Sequence, residues 1–376
     1  MRISDSFDSG NILVTEIAGP RARLAIKPDP GEDGFFQWFH FRVSGAKGEA
    51  LELVIENAGE ASFPKGWEGY AACASHDRRH WFRCPTDYAD GRLTIRVTPE
   101  TDSIWLAYFP PYSRERHHDL IARCQGRPRC RHEVLGLTLD GEDIDLLTIG
   151  EPGPDKQSYW AIARQHPGES QAEWWMEGFL DRLLDPDDPV AREILKAGVF
   201  HVVPNMNPDG SRRGHLRTNA AGANLNREWD KASPERSPEV HHVLARMDRT
   251  GLDFCLDVHG DEALPYVFIA GGEGVPGFDA RQENLLARFQ EELVLANPDF
   301  QTAKGYPKPA PGSSTTLSTA TKQLTDRFGA LAMTLEMPFK DNADAPDPVH
   351  GWSPERCRAM GRAALDALHR IKGALR

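Results

Sequence analysis

The stretch SYWAIARQHPGESQAEWW, residues 158–175, decides how this chain folds. Residues 158–164 alternate in the manner of a strand, and Ser170-Gln171-Ala172-Glu173 has the form of a capping box opening a helix whose Trp175, Phe179 and Leu183 share one face. His166 and Glu169 therefore fall in a strand-to-helix loop. Two later apolar runs end in the same way. Residues 253–258 deliver His259-Gly260, and residues 330–335 deliver Glu336. In open α/β sheets the crevice beyond the carboxyl ends of the strands is where ligands bind, so all four residues are placed at one edge. His166, Glu169 and His259 form the nitrogen and oxygen ligand set of a catalytic zinc with a fourth position open, and Glu336 is left free to take a proton from water. The plainer alternative is a surface His166, a Glu169 favoured by the helix N-terminus and a His259 satisfied by backbone. Each of these holds alone, but not for all the residues together.

On these residues the chain resembles the M14 zinc carboxypeptidases, and within them the cytosolic carboxypeptidase branch. The motifs that carry the likeness are His166-Pro167-Gly168-Glu169-Ser170, Asn207-Pro208-Asp209-Gly210, Asn224-Leu225-Asn226-Arg227, Asp257-Val258-His259-Gly260 and Thr334-Leu335-Glu336-Met337. Upstream, Ala107-Tyr108-Phe109-Pro110-Pro111-Tyr112-Ser113 is similar to the aromatic-proline signature that closes the extra N-terminal β domain of that branch. The resemblance covers nearly the whole chain. It implies an α/β/α mixed-sheet catalytic fold and one zinc held by His166, Glu169 and His259. It also implies Glu336 as general base, Arg217 on the scissile carbonyl, and Asn226 with Arg227 on the substrate's terminal carboxylate.

The residues support the second group on their own terms. An enzyme acting at a chain end must recognise a free α-carboxylate, and the arginine fork fits one with two parallel hydrogen bonds. Arg217 and Arg227 come from one long irregular connection, the sort of segment that carries function. Arg212 and Arg213 read as a solvated basic loop. Two departures from the family stand out. Asn224 occupies a position where relatives place an aspartate beside a zinc-ligating histidine, so a weaker supporting hydrogen bond is expected. The segment 313–321 offers no tyrosine above the site, and Tyr306 reads as a loop aromatic. Lys322 and Arg327 precede Glu336 near where the family sets side-chain preference. They are either a basic pocket selecting a C-terminal Glu or Asp, or exposed charges on a polar segment.

The chain has 376 residues, enough for one large domain and an accessory one. The division expected is an N-terminal antiparallel β-sandwich domain at 1–113 and a catalytic domain at 114–376. Short alternating runs at 13–17, 35–43, 50–55, 92–97 and 104–109 support the first. A linker helix at 114–123, a hairpin around Asp140-Gly141, a strand at 199–203 and helices at 238–249, 278–296 and 353–375 organise the second. The Pro- and Ser/Thr-rich segment 303–321 reads as a loop beside the site. With 44 Lys and Arg against 56 Asp and Glu, the net charge of −12 argues against nucleic acid as a partner. The polar N-terminus and the absence of a long apolar span argue against a leader or a bilayer segment, so a cytoplasmic location is expected. Six cysteines in so long a chain read as free thiols, and the spacing of Cys124, Cys130 and His132 does not suit a structural zinc. The expected function is hydrolysis of the C-terminal peptide bond of peptides or protein tails. A deacylase of N-acyl amino acids and an idle zinc-binding scaffold are the competing readings.

Overall fold

In the computed structural model, which describes residues 1–308 and 315–375, the N-terminal region forms two five-stranded sheets. One has the spatial order Arg2–Ser4, His40–Ser44, Ser103–Ala107, Cys73–Ser75, Phe82–Arg83; the other runs Leu13–Ala18, Arg21–Ala25, Leu51–Ile55, Arg92–Val97, Thr86–Ala89. Alternation drives their packing: Leu51, Leu53 and Ile55 turn inward from one sheet, and Phe41, Val43, Ile104 and Leu106 from the other. The sheets are antiparallel as expected apart from one pair, Arg21–Ala25 beside Leu51–Ile55, which is parallel. One expectation needs correction. The run 35–43 is a strand only over its last part, His40–Ser44. Its first part is bonded instead to a loop: Phe36 N donates to Ser62 Oγ, and the Gln37 amide exchanges hydrogen bonds with both the N–H and the carbonyl of Phe63.

From helix Arg114–Gln125 onward the chain builds a seven-stranded mixed sheet, ordered Cys130–Leu137, Asp143–Ile149, Gly198–Val203, Gln157–Ala163, Phe254–Asp261, Leu331–Pro338, Phe268–Ala270. The central four strands are parallel. They are buried on both faces. Tyr159, Ala161, Leu256 and Met333 pack with helices Gln171–Leu183, Ala280–Ala296 and Pro354–Ile371. Trp160, Ile162, Cys255 and Ala332 pack with helices Pro238–Thr250 and Ala320–Phe328. Strand Gln157–Ala163 has its successor Gly198–Val203 on one side and Phe254–Asp261 on the other, so the strand order reverses there. Such a reversal opens a crevice at the carboxyl end. Residues 164–170 leave the sheet at that point.

The hairpin around Gly141 and the helices expected near 114, 238, 280 and 354 are present, the last ending in a 3-10 turn at Lys372–Ala374. Helices Pro189–Ala197, Pro208–Arg213 and Ala320–Phe328 were not expected. Of the loop expected at 303–321, residues 309–314 lie outside the described residues, and its last two residues open the third of these helices. The helix after the His166 loop forms, but Ser170 does not cap it. Its hydroxyl donates to the Pro110 carbonyl, and Glu173 is taken by Arg164 and His117. All six cysteines are free and buried.

Candidate active site

His166 and Glu169 leave the reversal point, while His259 and Glu336 lie directly opposite each other on the two neighbouring strands. One ligand atom from each of His166, Glu169 and His259 falls within 4.8 Å of the others, and all three residues are buried. His166 Nδ1 is 2.7 Å from Glu169 Oε1, His259 Nδ1 is 2.7 Å from Glu169 Oε2, and the two Nδ1 atoms are 3.2 Å apart. A tetrahedral zinc with Zn–N bonds of about 2.0–2.1 Å has ligand–ligand edges of roughly 3.3 Å, so the two nitrogens already stand at coordination spacing. The donor set fits zinc. Binding requires neutral imidazoles and an ionised carboxylate. Burial, together with the charge of Arg217, holds the His166 pKa down at about 4. For His259 burial is outweighed by the Asp257 and Glu169 carboxylates, which raise its pKa, so a metal there must displace a proton.

The ring nitrogens not facing the cluster are both engaged. Asn224 Oδ1 lies 3.0 Å from His166 Nε2, as the sequence led one to expect. The supporting shell is nonetheless not purely neutral, because Asp257 Oδ2 lies 2.9 Å from His259 Nε2. Gln165 Nε2 also donates to that Asp257 oxygen, and its Oε1 accepts from Trp229 Nε1. This carboxylate was missed in the sequence, although Asp257 and His259 are two apart on one strand and so share a face. Arg164, at φ 60°, donates to the Pro167 carbonyl inside the ligand loop, to the Tyr112 carbonyl and to Glu173. His117 bridges Glu173 and Asp145; burial disfavours its charge, but the two carboxylates prevail and hold its pKa up at about 9.

Glu336 is buried, and burial together with the nearby Glu169 and Asp261 charges raises its pKa well above the usual carboxylate range, against the pull of His259. Its Oε2 has no hydrogen-bond partner among the described residues. The expectation for Tyr306 is overturned. Its hydroxyl lies 2.8 Å from Asp261 Oδ2 and 3.1 Å from Glu336 Oε1, so a tyrosine does stand above the site. No local pattern announces it, since the contact spans 30 residues.

The Arg217 guanidinium rests over the rings of Phe35 and Phe63, 5.7 and 5.2 Å from their centroids. Arg227 is exposed and donates to the Asn226 carbonyl. Asn226 is buried: its Oδ1 accepts from Ala320 N, and its Nδ2 is 3.4 Å from His259 Nε2. Lys322, half-buried, lines a cavity of about 510 Å³ with Tyr306, Lys304, Lys308, Glu273 and Glu283. Arg327 does not join it; it is exposed and paired with Asp248. Arg212 and Arg213 pair with Asp140, away from the ligand cluster.

Residues 3–109 match the family Cytosolic carboxypeptidase N-terminal domain, and residues 120–266 match the family Zinc carboxypeptidase. A metallo-carboxypeptidase from Pseudomonas aeruginosa, solved in complex with (2-guanidinoethylmercapto)succinic acid, is 45% identical, with a TM-score of 0.97 and both chains covered to 100%. The chain belongs to the M14 zinc carboxypeptidases. A metallo-carboxypeptidase from Burkholderia cenocepacia is 47% identical, with 98% of each chain covered and a TM-score of 0.94. Human cytosolic carboxypeptidase 1 is 28% identical over 323 residues, which span 72% of this chain and 26% of that protein. The chain is thus a metallocarboxypeptidase of a family that uses zinc and acts on peptides. Among the described residues no helix is long and apolar enough to cross a membrane.

Proposed function

We propose that this zinc carboxypeptidase removes the last residue from peptides or flexible protein tails, with one zinc held by His166, Glu169 and His259. The observation that carries the reading is Glu336: buried, with one carboxylate oxygen unpartnered among the described residues, and in register with His259. Bound there, zinc supplies Lewis acidity toward a water and the scissile carbonyl. Glu336 accepts the proton of the water whose oxygen bonds to the carbonyl carbon, and it returns that proton to the amine as the C–N bond breaks. Arg217 steadies the negative charge that develops on the carbonyl oxygen. Arg227, with Asn226 at its base, receives the terminal carboxylate, and Lys322 favours an acidic side chain in the departing residue. The excess of lysines over glutamates around the Tyr306 cavity supports that preference. The division into a β domain at 1–113 and a catalytic domain at 114–376 belongs to the same proposal. So does a cytoplasmic location, supported by six free buried thiols in a chain without disulfides among its described residues.

Peptides with free and amidated C-termini test the reading. Arg227→Ala is expected to lower kcat/KM on free-carboxylate peptides by the equivalent of about 2–5 kcal/mol and to leave amidated peptides little changed. Equal cleavage of both peptides by the unaltered protein would make it an endopeptidase or amidase. Cleavage of N-acyl amino acids in preference to peptides would favour the deacylase reading. Peptides ending in Glu, Lys and Phe, with Lys322→Glu as the control, read the side-chain preference.

A further inference from the structure

The segment that carries Arg217 is held by the N-terminal region. Asp29, buried, accepts three consecutive backbone N–H groups: Leu216 on Oδ1 at 2.8 Å, and Arg217 and Thr218 on Oδ2 at 2.7 and 2.9 Å, with the Thr218 hydroxyl at 3.3 Å. One carboxylate thereby fixes the direction of the turn on which Arg217 stands. Asp29 N in turn donates to the Phe35 carbonyl, which closes a loop that brings Phe35 to the same place. Phe63 is tied to that loop through the Gln37 amide. Gly31, at φ 106°, lets this loop approach the backbone of Gly222, where a side chain would meet the Gly222 carbonyl oxygen at 3.0 Å. The far side of the turn is anchored too, since the Leu216 carbonyl accepts from Gly168 N inside the ligand loop.

Two aromatic rings hold the guanidinium; the buried Glu262 carboxyl is near enough to feel its charge, but among the described residues it makes no ion pair with it. Among the described residues no carboxylate or carbonyl accepts from its N–H groups, and they stay available to a ligand. A cation held by ring faces keeps its donors free, whereas a carboxylate partner would occupy them. We propose that Asp29, Phe35 and Phe63 are positioning residues of the hydrolytic site, so that the N-terminal β region sets where the Arg217 guanidinium meets the substrate. This rests on the reading of Arg217 as the group that steadies the carbonyl oxygen. It makes the β region a working part of the site and not only a cover beside it.

The test uses the full zinc-loaded chain and a free-carboxylate peptide. The double variant Phe35→Leu/Phe63→Leu keeps apolar bulk and removes the rings; kcat is expected to fall roughly tenfold or more, with KM within about threefold and zinc content unchanged. Restoring the rings as Phe35→Tyr/Phe63→Tyr should recover most of kcat. Asp29→Asn, which retains shape and loses charge, should lower kcat by a similar factor. Guanidinium hydrochloride added to Arg217→Ala should restore part of the rate, and its half-saturating concentration should rise several-fold when the two phenylalanines are also leucine. If Arg217→Ala turns over normally, the role of Arg217 falls and this proposal with it. If Arg217→Ala is slow while Asp29→Asn and the leucine pair turn over normally, only the positioning proposal is overturned. Loss of zinc together with rate in the leucine pair would give the rings a purely structural role and overturn it as well.

Discussion

Glu336 is costly to bury as an anion, and the structure leaves one of its oxygens unpartnered among the described residues. A buried, raised carboxyl beside a cluster whose donors fit a metal suits a proton carrier better than a structural residue. Glu336→Gln is therefore expected to retain zinc and to lose turnover by about 10²–10⁴, as the loss of a general base commonly does. His259→Ala should instead lose the metal, measured as zinc per chain in the purified protein. Tyr306 bears on the same carboxyl from above. Its hydroxyl stabilises the ionised form of Glu336, so removing it raises the Glu336 pKa further. A base is active when ionised, and the acidic limb of kcat/KM reports its titration in the free enzyme. In Tyr306→Phe that limb should move to higher pH, with zinc content unaltered. An unmoved limb would detach Tyr306 from the proton transfer.

At the scale of elements, the loop that carries His166 and Glu169 is only as firm as the helix that follows it. Helix Gln171–Leu183 packs closely against Pro354–Ile371, through glycines on both. A Cβ on Gly361 would stand 2.2 Å from the Trp175 carbonyl oxygen, and one on Gly178 would stand 2.2 Å from that of Arg358. Glycine within a helix costs about 0.5–1 kcal/mol relative to alanine, so its presence at the crossing on both helices is explained by the contact and not by helix propensity. Gly361→Ala should consequently destabilise the chain by about 1–3 kcal/mol, despite the better helix former, because the two backbones must separate. The urea midpoint reads this. A midpoint equal to or above that of the unaltered protein would show that the helices accommodate the methyl group.

At the scale of the molecule, the two sheet systems share one continuous buried cluster, and a single arginine ties them along its edge. Arg83, on a short N-terminal strand, donates to the carbonyls of Ala71, Phe339, His350 and Trp352. Phe339 follows the strand that presents Glu336, and its ring stacks on Tyr108 at 4.5 Å. Arg83→Met should cost about 2–4 kcal/mol, because it leaves several carbonyls without their charged donor. Urea unfolding followed by tryptophan fluorescence would show a lower midpoint, and limited proteolysis should cut the N-terminal sheets sooner. Unchanged behaviour in both would mean that water replaces the guanidinium at no cost.

What the sequence determined by itself was local and periodic. Alternation at 158–164, the apolar runs before His259 and Glu336, and prolines at the first turn of helices Pro238–Thr250 and Pro354–Ile371 act over a few residues, and each of those elements formed. The meeting of His166, Glu169 and His259 was legible for the same reason: His259 lies among the last residues of its strand and the other two in the loop after another strand, and strand ends are set by period and length. Tertiary structure alone decided the rest. Tyr306 reaches Glu336 from an irregular segment, Ser170 gives up its cap for the Pro110 carbonyl, and Asp29 meets Leu216 across 187 residues of chain. Arg327 sits on the same helix as Lys322 yet points to Asp248 on a neighbouring one. These contacts join loops and surfaces whose conformations follow from the hydrogen bonds they find in the folded chain, and no period in the sequence encodes which partner that will be.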